Sequence, residues 1–127
     1  MNDEVTQTII EARECLRDSQ IMLKEERWKA AVSRAYYAMY HAAKAALVAI
    51  GENAFTHQGV NIQFSKHFIK TGIFNKSLIK TFSKMLDTRQ KADYEVGFQA
   101  DLSDAMNAVD EATRFYQEIS NYLDIKL

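Results

Sequence analysis

The chain has 127 residues, enough for one domain with one core. Hydrophobic residues make up 47% and charged residues 26%; there is no proline and there are only four glycines, too few turn residues for a β-sandwich or barrel of this length. A formal net charge of −1 argues against a protein that coats nucleic acid by bulk electrostatics, and leaves room for a local basic pocket.

The single cysteine, Cys15, cannot form an intrachain disulfide, which suits a reducing compartment. No charged-then-apolar leader opens the chain. The most apolar stretch, Ala35 to Ile50, is interrupted by His41 and Lys44 and is too short to span a bilayer. The expectation is a cytoplasmic protein with no membrane contact, forming a single helical domain over residues 1–127.

The first element is a helix from about Asp3 to Glu25. Val5, Ile9, Ala12, Leu16, Ser19 and Leu23 alternate steps of four and three, one face of a bundle helix. The second runs from about Arg27 to Ile50, with Trp28, Ala31, Ala35, Ala38, Ala42, Ala45 and Ala49 on the same spacing. Small residues there let a neighbouring backbone approach closely, and Gly51 stands where a left-handed cap is expected. GENAFTH is a loop, with Thr56 placed to cap a third helix whose apolar face is Val60, Phe64 and Phe68 and whose end is Gly72. A fourth helix, from about Asn75 to Thr88, carries Leu78, Ile79, Phe82, Met85 and Leu86. The polar stretch DTRQKADYEVG follows, and periodicity leaves its state open. The last helix, from about Asp101 to Leu123, repeats the pattern with Leu102, Ala105, Val109, Ala112, Tyr116, Ile119 and Leu123. The fold class is all-α: an up-down antiparallel bundle of four to five helices.

The second helix carries an unusual load of polar chemistry in SRAYYAMYH, residues 33–41. At roughly 100° per residue, Ser33, Arg34, Tyr37, Tyr40, His41 and Lys44 gather on about a third of the helix circumference. In one reading the tyrosines are amphipathic residues at the core edge and the histidine is their hydrogen-bond partner. In the other, the stripe lines a groove in which His41 titrates near neutral pH and Arg34 holds a phosphate.

Elsewhere, His57 in the loop before Gly59 either fixes that loop or forms the rim of a pocket. His67, among Phe64, Lys66 and Phe68, reads as an edge residue, and Cys15 as a partly buried thiol. No metal-ligand spacing and no glycine-rich phosphate loop occurs, so no metal or cofactor is expected. Lys76, Lys80 and Lys84 step by four and share a face, either solvated or an approach surface for RNA.

Three motifs in order, SRAYYAMYHAAKAAL, THQGV and RQKADYE (residues 89–95), resemble the HEPN superfamily of helical "higher eukaryote and prokaryote nucleotide-binding" domains. The likeness is greatest to its small stand-alone prokaryotic members and covers about residues 10 to 123. It implies a homodimer, often encoded beside a minimal nucleotidyltransferase in a toxin–antitoxin pair, binding nucleotide or RNA. Active members of the family are metal-independent endoribonucleases in which an arginine is followed, four to six residues on, by a histidine. The chemistry fits those residue types. RNA supplies its own 2′-hydroxyl nucleophile, a histidine moves the proton, and an arginine stabilises the charge on the phosphorane-like transition state. A cyclic phosphate is the product.

This chain departs from that pattern. After Arg89 the matching position holds Tyr94, and a phenol with a pKa near 10 is a poor base at pH 7. Arg34 and His41 have the literal spacing but lie on the second helix, about 10 Å of rise apart. The candidate catalytic residues are therefore Arg89, His41 and Tyr94, with Ser33, Arg34, Tyr37, His57 and Asp93 as candidate ligand-binding residues in one composite pocket. Cleavage of RNA is one outcome; a non-catalytic dimer that binds nucleotide or docks its partner is the alternative.

Overall fold

The computed structural model of the chain describes residues 3–54 and 56–124. It has five helices: α1 Asp3–Lys24, α2 Trp28–Ala49, α3 His57–Phe64, α4 Lys76–Tyr94 and α5 Leu102–Leu123. Among the described residues there is no strand. The architecture is the all-α up-down bundle that the periodicity predicts.

Helix α2 is the axis of the bundle and packs against all four others. Ala31, Ala35, Ala38, Ala42 and Ala45 are completely buried along it, and Ala49 emerges into solvent at its end. Methyl side chains hold α1 and α5 close, and a longer side chain at such a position costs about 1–3 kcal/mol through overpacking. Val5, Ile9, Ala12, Leu16 and Ser19 of α1 and Ala105, Val109, Ala112 and Ile119 of α5 are buried against it. Cys15, beside the α1 stripe, is buried rather than partly exposed.

The ends of the helices follow their capping residues. Gly51 adopts φ 81°; its N–H bonds the Val48 carbonyl, and the Glu52 N–H reaches back to Leu47, closing α2 as expected. The Thr56 hydroxyl accepts the Gly59 N–H at 2.8 Å and fixes the start of α3. Asp101 and Asp104 form a reciprocal capping box at α5.

Two elements differ from the expectation. The helix drawn between the loop and Gly72 is α3 followed by a π-helical turn over Ser65–Ile69, closed by Lys70 N–H to Ser65 carbonyl at 2.9 Å. Phe64 and Phe68 both bury, 5.1 Å apart, against Phe74. Helix α4 continues past Thr88 to Tyr94. That last part buries only Ala92, so it leaves no apolar period; Lys91–Asp87 (3.4 Å) and Arg89–Asp93 (2.9 Å) bridge successive turns instead.

Candidate functional site

The site lies where α2, the start of α3 and the extended end of α4 meet. Tyr36, Tyr37 and Tyr40 leave α2 within little more than one turn. Tyr36 is completely buried, Tyr40 nearly so, and Tyr37 is half-buried. The Thr56 cap sets His57 as the first residue of α3, where its ring packs 4.4 Å from that of Tyr40 and 5.8 Å from that of Tyr37.

His57 Nδ1 lies 2.6 Å from the Tyr36 hydroxyl. The roles in that bond follow from burial. Burial pushes the Tyr36 phenol far above its usual range, and the Arg89 charge only partly offsets this, so the phenol keeps its proton. Its one partner among the described residues is Nδ1, so the phenol donates and the imidazole accepts. A neutral His57 then carries its hydrogen on Nε2. Burial, and next the Arg89 charge, hold the His57 pKa below its ordinary 6.5, so the ring is neutral at pH 7. It thus presents a hydrogen-bond donor, not a free lone pair, on its second nitrogen.

Arg89 approaches from α4. One terminal nitrogen donates to the Tyr37 hydroxyl at 2.8 Å, and its guanidinium lies 5.4 Å from the Tyr37 ring and 5.8 Å from that of Tyr36. Nε sits 2.9 Å from an Asp93 carboxylate oxygen, yet its N–H is not aimed at it, so the contact is an ion pair without a hydrogen bond. Arg34 places its own guanidinium 4.9 Å from the same Tyr37 ring. Two cations therefore share one tyrosine, and Asp93 pairs with one of them, Arg89.

The structure thus brings Tyr37, Arg34, His57, Arg89 and Asp93 together. Ser33 stands apart from the rings: with Asp93, Trp28 and Phe98 it lines an adjoining cleft of about 550 Å³. Tyr94 does not join; its side chain is 79% exposed beyond the cluster. His41 touches the edge of the tyrosine group, 5.2 Å from Tyr40 and 6.4 Å from Tyr37, but faces α1. Its pKa is held down by burial, against the pull of Glu11 and with Lys44 and Arg34 adding to the effect. Tyr36 is the member that sequence reasoning missed: it falls on the apolar side of the wheel, and its partner is 21 residues away. His67, read as an edge residue, sits 3.5 Å from Glu52. For a metal, one group among the described residues has ligand atoms close enough: Glu11, Cys15 and His41, all within 4.8 Å of one another.

These features define a class: a small all-helical bundle with a cationic tyrosine–histidine–arginine cluster built on its second, third and fourth helices. The HEPN domain model matches residues 5–122, and the chain belongs to that family. It is 43% identical over 83 residues to a UPF0332 protein of Thermotoga maritima, an alignment covering 65% of this chain and 63% of that one. A Methanocaldococcus jannaschii protein carrying the name "putative toxin" is 32% identical over 121 residues, 94% of this chain and 90% of its own. A second protein of that name from the same organism is 30% identical over 120 residues, covering 94% and 82%. Among solved structures, TT1696 of Thermus thermophilus superposes with a TM-score of 0.76 over 94% of this chain and 98% of its own, at 17% identity, which shows the shared fold. Among the described residues no helix is long and apolar enough to cross a membrane.

Proposed function

We propose that the chain is the HEPN component of a toxin–antitoxin pair with a minimal nucleotidyltransferase, and that its tyrosine–arginine cluster binds the phosphate of a nucleotide or RNA. The toxin names of its relatives support the system. The observation that carries the site is the crowding of Arg34 and Arg89 around the Tyr37 ring with Asp93 as counter-ion. An anion relieves that crowding, and an arginine fork matches phosphate geometry. His57, its ring 5.8 Å from that of Tyr37, adds a neutral donor to the cluster.

Binding is favoured over cleavage by the state of His57. A ring whose Nδ1 is already occupied by the Tyr36 proton has no base to offer a 2′-hydroxyl. The endoribonuclease remains the second reading because two copies can pool their groups. Fully exposed Val96 and largely exposed Tyr94, just beyond Arg89, support a homodimer covering this end of α4.

The test is one incubation of labelled RNA with EDTA, using wild type and Arg89→Ala, read for cleavage and by anisotropy for binding. Salt-sensitive binding that weakens at least tenfold in the variant, without cleavage, supports the binding module. Cleavage to 2′,3′-cyclic ends that is lost in the variant converts the site into a metal-independent ribonuclease. The absence of both binding and cleavage in the folded wild type would overturn the assignment.

A further inference from the structure

We propose that Glu11, Cys15 and His41, at the α1–α2 contact, bind a thiophilic divalent cation of the zinc class. The proposal is independent of the reading of the tyrosine cluster. Glu11 and Cys15 are one turn apart on α1 and project from one face, and His41 meets them from α2. One ligand atom from each lies within 4.8 Å of the others. Tetrahedral zinc with ordinary bond lengths sets such atoms about 3.3–3.6 Å apart, a tightening that side-chain rotation can supply.

The donor set selects the metal. Thiolate, imidazole and carboxylate together suit Zn²⁺ or Co²⁺, whereas Mg²⁺ and Ca²⁺ take oxygen ligands. Three protein ligands leave a fourth position, the pattern of an open site and not a closed structural one. The structure gives that position somewhere to face. Glu11 is exposed, and with His41, Glu4, Thr8 and Lys44 it lines a groove of about 360 Å³. Cys15 does not line the groove itself; it is buried and free of any disulfide.

The surrounding charges are mixed. Glu14 and Asp18 lie near the thiol on α1, and Arg34 and Lys44 on α2 oppose a cation. Burial raises the Cys15 pKa, so the metal-free thiol holds its proton at pH 7. Metal binding forms the metal–sulfur bond and releases that proton to solvent.

The test is a Co²⁺ titration of the full chain in a non-thiol reductant. A thiolate-to-cobalt charge-transfer band saturating at one equivalent, and displaced by Zn²⁺, is the expected result. Cys15→Ser should abolish the band. Glu11→Gln, on an exposed position that leaves the core intact, should weaken Co²⁺ binding at least tenfold, and His67→Gln should leave it unchanged. No band at saturating Co²⁺, or a band of unchanged affinity in Glu11→Gln and His41→Gln, would overturn the site.

Discussion

Replacing Tyr36 with phenylalanine removes one oxygen from the centre of the candidate site and little else. The ring stays in its slot, stacked 6.0 Å from Phe82 and 6.3 Å from Tyr40, so no cavity opens. What is lost is the 2.6 Å bond to His57 Nδ1. A neutral hydrogen bond is worth about 1 kcal/mol net, and a half-buried imidazole recovers part of that from water. The expected destabilisation is about 1 kcal/mol, a fall of about 4 °C in melting temperature for a chain of this size. Tyr36→Ala, which also opens a cavity, should lose about 3–5 kcal/mol. The more telling readout is the imidazole. In wild type, nitrogen-15 NMR should show His57 protonated on Nε2 alone with a pKa below 6.5. In Tyr36→Phe the second tautomer should appear and the pKa should rise, because the lost bond is one made to the neutral ring. A wild-type ring protonated on Nδ1, or a titration unmoved by the substitution, would refute the donor assignment and reopen His57 as a base.

The depressed pKa values of both His41 and His57 fix a sign for acid stability. The folded state releases protons that the unfolded state keeps, so their contribution is complete above about pH 6.5 and is lost as pH falls through the lowered folded values. Urea melts from pH 7.5 down to 5 should show stability falling by at most about 1.4 kcal/mol per pH unit per histidine. Gly51→Ala should cost about 1 kcal/mol with no steric component, since a Cβ there meets nothing within 4 Å and only φ 81° resists it. Glu26 holds the matching left-handed position after α1, at φ 60°, so Glu26→Gly should be neutral or stabilising in the same melts. Arg89→Lys keeps the charge and loses the fork that serves Tyr37 and Asp93 at once; phosphate-dependent binding should fall nearly as far as in Arg89→Ala, by anisotropy. If a second copy covers the end of α4, Val96→Asp should shift sedimentation toward monomer without changing helicity.

The helices were legible because each long one buries a face at steps of three and four, and burial is what that period reports. The last turns of α4 were not, because they bury one alanine and are held by charge pairs that periodicity does not register. The π-turn was invisible because Phe64 and Phe68, four residues apart, fit a plain helix equally well. A wheel also says which residues share a face but not which neighbour that face meets. Tyr37 and His41 sit together on the wheel, yet Tyr37 bonds to α4 and His41 faces α1.

That separation bears on how an arginine–histidine rule should be applied to this chain. Spacing along the sequence stands in for proximity only where both residues ride the same helix face. Here the histidine missing after Arg89 is matched in space by one supplied from α3, delivered to the tyrosine pair by the Thr56 cap. Arg89 and His57 meet the same two rings although they stand 32 positions apart in sequence. The substitute differs in chemistry as well as in origin. The position five residues beyond Arg89 on α4 is held by Tyr94, which is largely exposed. His57 is held neutral, with one nitrogen committed to a buried phenol. Proximity is restored, but the proton-accepting nitrogen is not, and the proposed recognition of phosphate needs the first without the second.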